Sequence, residues 1–232
     1  MQEKIVNNMA APDSRTLADQ AFERLQTAIV KGDIRAGEKI SEAELSAKFG
    51  FGRGPLREAL HRLEGRGLIV RKAHSGARVV ALTFEELIEL YEVRESLEGM
   101  AIRLASERMS QEEIDDLKRL MDIHAEQIKE EKGLAYYQKE GDFDFHFRII
   151  SGSKNRKLSN MLTGELYHLL RLYRYRLSTF SGRPEKAFHE HWRIIEALEE
   201  RDGDLAELLM RRHISAARNN LIRKYRDGEL QL

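Results

Sequence analysis

Two groups of residues have types and spacings suited to chemistry. The first is Arg53 and Arg57, four residues apart beside Gly54-Pro55, with Arg62 and Arg66 further along and Arg71, Lys72 and Arg78 after them. Arginines at the start of a helix suit DNA. Guanidinium to guanine O6/N7 is the commonest specific contact, and the same group grips phosphate. Gly76 sits among the last of these charges, where a missing side chain lets the backbone approach a groove closely. The second group is Asp142, His146, His191 and His213. One carboxylate and three imidazoles suit a divalent ion such as Zn²⁺ or Ni²⁺ and leave positions open for a further ligand.

Plainer roles stay open for both groups. A basic helix face is often only solvated. A lone inward histidine is often hydrogen-bonded within a core, and an Asp–His pair at i,i+4 is often a local contact. The spacing predicts that Asp142 and His146 share a helix face with Phe145, Ile149 and Ile150 nearby. His191 precedes Ile194, Ile195 and Leu198, and His213 lies among Ala206, Leu209, Ala216 and Ala217, so both point inward. His124, His168 and His189 lack this pattern and read as surface or incidental residues.

The elements that must hold the arginines are legible in residues 14–82, after a polar arm at 1–13. A helix runs from about Thr16 to Lys31 with Leu17, Ala21, Leu25, Ala28 and Ile29 as its stripe, and Gly32 stops it. Ser41 and Glu44 have the spacing of a capping box for a second helix ending at Gly50. A third starts near Gly54-Pro55, where proline costs nothing in the first turn, and Gly67 closes it. Leu68–Val70 and Ala77–Ala81 are β-prone runs around a loop at 71–76. Three helices and a hairpin make a winged helix-turn-helix.

Residues 83–226 read as helices throughout, followed by a short tail at 227–232. Thr83/Glu86 and Ser110/Glu113 are further capping boxes. Helices are expected from Thr83 to about Arg108, then to about Lys132, over 134–151, 155–180, 185–201 and 203–226. Gly182-Arg183-Pro184 and Asp202-Gly203 are the breaks. The fold class is therefore mainly α: a winged helix-turn-helix followed by an all-α bundle.

Bulk composition narrows the function. Of the 232 residues 41% are hydrophobic, which supports a buried core, and the net charge is zero. The charge is unevenly placed: residues 1–82 hold 14 Lys/Arg against 10 Asp/Glu, the remainder 25 against 29. A basic front and an acidic back suggest two separate roles. There is no cysteine, which excludes disulfides, thiolate zinc sites and thiol catalysis. No apolar run suggests a signal peptide or membrane span, so a soluble cytoplasmic protein is expected.

The front half resembles the winged-helix domain of the GntR family of bacterial transcription regulators. The matching residues are Ile34–Glu42, Leu45, Arg53, Pro55–Leu60, Arg62-Leu63, Gly67–Ile69 and Gly76. The resemblance implies that Arg53, Arg57 and Gly76 contact an operator. Arg62, on the basic edge of the helix, and Lys72, in the charge around the wing, are expected beside them from the residues alone. Two positions depart from it: Gly52 and Gly54 stand where the family has hydroxyl residues that can cap the helix and bond phosphate. The back half resembles the FCD-type ligand-binding domain through Tyr91–Glu98, Asp142–His146, Glu190-His191, Ile195–Leu198, Gly203-Asp204, Met210 and His213. That resemblance implies a metal held by Asp142, His146, His191 and His213, a small organic acid completing its coordination, and Arg94 near the pocket. Arg94 has two readings, a partner for an effector carboxylate or a salt bridge to Glu98.

Together these features point to a metabolite-responsive regulator, with repression the usual sense. It would bind a palindromic operator as a homodimer and be switched through the Val79–Thr83 linker. The rivals are a DNA-binding dimer without metal or effector and a metal-dependent hydrolase. The chain has no H-E-x-x-H motif, nucleophile elbow or phosphate-binding glycine loop, so no enzyme activity is expected.

Overall fold

The computed structural model describes residues 15–72, 76–130, 144–178 and 183–229. α1 (Leu17–Lys31) opens on Thr16, whose hydroxyl accepts the Asp19 N–H while the Asp19 carboxylate accepts the Thr16 N–H. That is a full capping box at a place where no box was expected. α2 (Glu42–Phe49) shows only the serine half of the expected one: the Ser41 side chain accepts the Glu44 N–H. α3 (Arg53–Gly65) begins after Gly52. Leu25 and Ile29 from α1 meet Leu56, Leu60 and Leu63 from α3, all essentially buried. Each such side chain contributes roughly 1.5–3 kcal/mol by leaving water.

The hairpin follows at once. β1 (Ile69–Lys72) pairs antiparallel with β2 (Gly76–Val79), with Ile69 opposite Val79 and Lys72 opposite Gly76. The ladder reaches nearer the turn than the β-prone runs suggest, and 73–75 lie outside the described residues. Ala77 and Val79 point into the core while Gly76 and Arg78 point out. Lys39 bridges Arg78, and Ile40 N–H donates to Ala77 O, so the chain before α2 flanks the hairpin.

The helical half is built on α4 (Phe84–Arg108), which is capped by the expected Thr83/Glu86 box. Then come α5 (Gln111–Glu130), α6 (Phe145–Gly152), α7 (Arg156–Thr163), α8 (Glu165–Ser178), α9 (Arg183–Glu199) and α10 (Gly203–Arg226). α6, α7, α9 and α10 all pack on α4. Two expectations are corrected. The helix expected over 134–151 is not continuous: α6 starts at Phe145, because Asp144 is its N-cap in extended conformation (ψ 120°); residues 131–143 lie outside the described set. The helix expected over 155–180 is two helices, since Gly164 takes ψ −138°, which no α-helix continues. None of the described helices is long and apolar enough to cross a membrane.

The two halves meet on α8. It lies against α1, and Leu82 N–H donates to the Tyr173 hydroxyl at 2.8 Å. His168, read as surface or incidental, is buried here, as is His124 on α5, while His189 is exposed. Burial, with the charges of Arg66 and Arg171 close by, lowers the His168 pKa to about 4. Below the ordinary histidine pKa of 6.5 the unfolded chain takes up a proton that the folded chain refuses. Stability contributed by neutral His168 is therefore full above pH 6.5 and is lost between pH 6.5 and about 4. Urea denaturation at pH 7 and pH 4.5 should show a loss of about 1–3 kcal/mol from this group. His168→Asn should show a correspondingly smaller loss over the same window.

Candidate functional site

The exposed face of α3 is set by its first turn. Gly52, its N-cap, has no side chain to bond the free N–H groups there, so they stay available to an anion. Arg53 and Arg57 project from this end, one turn apart and both exposed. Arg57 Nε lies 2.8 Å from Glu42 Oε2 at the start of α2, with its side chain 67% exposed. An ion pair that open is worth about 0–1 kcal/mol, so it orients the arginine without committing it. Gly76 has φ +78°, a left-handed backbone that favours glycine. Lys72 ends β1 opposite it; the Lys72 side chain lies outside the described residues.

Arg62 does not join this group. Nine residues from Arg53, it falls on the opposite side of the helix at about 100° per residue. Its Nη1 lies 2.8 Å from Asp19 Oδ1, and its guanidinium sits 4.3 Å from the centre of the Phe22 ring. Hydrogen bonds from Thr16 and then from Arg62 hold the Asp19 carboxyl below the usual carboxylate range. Arg62 is thus a tie between α3 and α1.

The second site lies inside the helical half. His146 comes from the first turn of α6, His191 from α9 and His213 from α10, and all three are buried. One nitrogen from each lies within 4.8 Å of the other two. Asp142, the expected fourth ligand, lies outside the described residues. The helix that carries His146 begins after Asp144, its N-cap, so the one continuous helix assumed in the i,i+4 spacing is interrupted there. Asp144 serves the histidine differently. Its Oδ1 accepts the His146 N–H at 2.9 Å, and Tyr167 of α8 donates to its Oδ2 at 3.4 Å. This cap orients the turn that carries His146. An Asp two residues before a histidine at a helix start was the available signal.

Around the three rings the partners are specific. His191 stacks on Phe145 with centroids 4.1 Å apart. His191 Nε2 and His213 Nε2 are 3.3 Å apart. Glu190 Oε2 lies 2.7 Å from His213 Nδ1, and Glu98 Oε2 lies 2.6 Å from His146 Nδ1. Arg94 is buried with Nε 2.5 Å from Glu98 Oε1, which is the expected salt bridge. Its Nη2 lies 3.1 Å from His146 Nδ1 and 3.2 Å from His146 Nε2. Glu98 and Glu190 had no assigned part at the histidines in the sequence. Glu190 is one residue from His191, but its partner is on another helix.

The donor set fits a divalent ion. Two nitrogens bound at 2.0–2.1 Å to a tetrahedral ion would lie roughly 3.3–3.4 Å apart, which is the His191–His213 separation. Three neutral imidazoles suit zinc or nickel better than a hard, oxygen-seeking ion.

Comparison with known proteins places both regions. Residues 17–79 match the family model for bacterial regulatory proteins of the gntR family, and residues 89–216 match the FCD domain. The HTH-type transcriptional regulator YcbG of Bacillus subtilis (strain 168) is 30% identical over 223 residues, 90% of this chain and 91% of that protein. The HTH-type transcriptional repressor GlaR of Escherichia coli (strain K12) is 29% identical over 202 residues, 82% of this chain and 89% of that protein. The solved structure of E. coli McbR/YncC has the same fold, with a TM-score of 0.70 at 19% identity over 91% of this chain and 99% of that one.

The placement of Arg62 yields a contrast that can be measured. Arg62→Ala should lower stability by about 1 kcal/mol through loss of the Asp19 pair and the Phe22 contact. DNA affinity of the folded variant should stay within about twofold, whereas a phosphate contact would lose more and would flatten the salt dependence.

Proposed function

We propose that this chain, which belongs to the GntR family of bacterial regulatory proteins and carries an FCD domain, is a metabolite-responsive repressor that binds a palindromic operator as a homodimer. Residues 14–82 form the DNA-binding unit and 83–226 the effector-binding and dimerising unit. Arg53, Arg57 and Gly76 make the operator contacts, with Lys72 on the wing beside them. His146, His191, His213 and Asp142 hold a divalent metal, zinc or nickel, and a small organic acid is the effector.

The observation that carries this reading is the convergence of three buried histidines from three helices on one point, in a chain whose N-terminal domain carries two arginines at an exposed helix start. A bound divalent ion would supply a positive point charge for a carboxylate oxygen. The chain's own residues do the rest. Arg94 keeps Nε and Nη2 on Glu98 and His146, and among the described residues its Nη1 has no hydrogen-bond partner. That N–H group is the donor offered to a second carboxylate oxygen.

A route from pocket to head is present in α8. Tyr167 touches the Asp144 cap near the pocket, and Tyr173 holds Leu82 in the linker. An effector with different affinities for two arrangements of α8 would shift the head between them.

Arg57→Ala should weaken operator binding by about 1–3 kcal/mol, read by fluorescence anisotropy at fixed salt. An unchanged affinity removes Arg57 from the contact set. His191→Ala should bind operator as the wild type does, but lose stoichiometric metal by elemental analysis and lose any response to a panel of small mono- and dicarboxylates. A metal-loaded wild type whose operator affinity none of that panel alters would count against the effector reading.

A further inference from the structure

Two carboxylates stand behind the histidines, and their placement speaks to which ring nitrogens carry hydrogen. Glu98 Oε2 lies 2.6 Å from His146 Nδ1 while its Oε1 takes the Arg94 Nε–H. Glu190 Oε2 lies 2.7 Å from His213 Nδ1. An ionised carboxylate only accepts hydrogen bonds, so each Nδ1 must be the nitrogen bearing the hydrogen. In a neutral ring the lone pair then lies on Nε2, and in His146 that atom is 3.2 Å from Arg94 Nη2, which can donate to it. His213 Nε2 is also the atom that comes within 3.3 Å of His191 Nε2. Rings on α6 and α10 are thereby held in one tautomer by carboxylates on α4 and α9, although free histidine favours the other.

We propose that Glu98 and Glu190 are positioning residues that hold His146 and His213 in the Nδ1–H tautomer, which leaves each ring an Nε2 lone pair: that of His213 faces His191, and that of His146 is shared with Arg94 Nη2 until an ion takes it. This inference rests on the metal reading above. A carboxylate behind an imidazole fixes ring orientation and makes the ring a stronger donor. The two glutamates also set the charge of the site. Glu98 balances buried Arg94, and Glu190, with its side chain 21% exposed, adds one negative charge facing a divalent cation.

A tie between helices and nothing more would affect melting but not tautomers or affinity, so both are measured on the full chain. Long-range ¹H–¹⁵N spectra of metal-free protein at pH 8, with His146→Gln and His213→Gln for assignment, should show hydrogen on Nδ1 and a bare Nε2 in both rings. Hydrogen on Nε2 of either ring overturns the proposal. Titration with Zn²⁺ or Co²⁺ should show affinity about 10–100-fold weaker in Glu190→Ala. Glu190→Gln, which keeps an acceptor oxygen, should recover most of it, and both variants should melt close to the wild type. Glu98→Gln tests the other pair while preserving side-chain volume beside Arg94. Equal affinity in wild type and Glu190→Ala overturns this inference and leaves the metal reading standing. A wild type that binds neither ion overturns the metal reading and this inference with it.

Discussion

Arg94 and Glu98 are buried one turn apart on α4, and the interior of the helical half is organised by the need to keep them paired. A buried arginine stripped of its partner costs roughly 3–5 kcal/mol. Glu98 therefore has to stay in place, which leaves its second oxygen to face His146. From there polar contacts run outward. Asp144 caps the helix that bears His146, Tyr167 reaches Asp144, and six residues along α8 Tyr173 holds Leu82. The apolar packing of α6, α7, α9 and α10 on α4 keeps water away from the start of this series, which is why its members can be so specific in geometry.

The head obeys the opposite logic. Its core is apolar and closed, and its charged groups lie outside. Arg57 is only loosely held by Glu42, and the first N–H groups of α3 are left without a side-chain cap. Arg62 and Arg66, on the inward edge, are both laid over Phe22. One helix thus divides its arginines between a face braced against α1 and an end left open.

Much of this was legible in the residues themselves. The winged helix-turn-helix followed from glycine stops, the proline at the third helix start and apolar periodicity, because those signals are local. The inward direction of His146, His191 and His213 followed from their isoleucine, leucine and alanine neighbours. The errors came where a local rule met a competing one or a distant partner. The i,i+4 spacing of Asp142 and His146 assumed a continuous helix, whereas Asp144, a strong N-cap residue, starts the helix after itself. Arg62 finds its partner 43 residues away, which no window on α3 reveals. His168 looked incidental because nothing in its own helix says that the DNA-binding half packs near it. Glu190 was visible beside His191, but its partner lies on α10, 23 residues on.

The three histidines also have a topological meaning. His146 and His213 are about 67 positions apart in the chain, and the stretch between them contains α7, α8, α9 and half of α10. Anything that clasps both rings at once closes that stretch into a loop. Closing a loop of this length removes several kcal/mol of freedom from the unfolded chain in the entropic account of cross-links, and a ligand that binds only the folded form adds stability by mass action. An ion held there would act as a removable staple. The segment it would fasten includes α8, the helix on which the DNA-binding half rests.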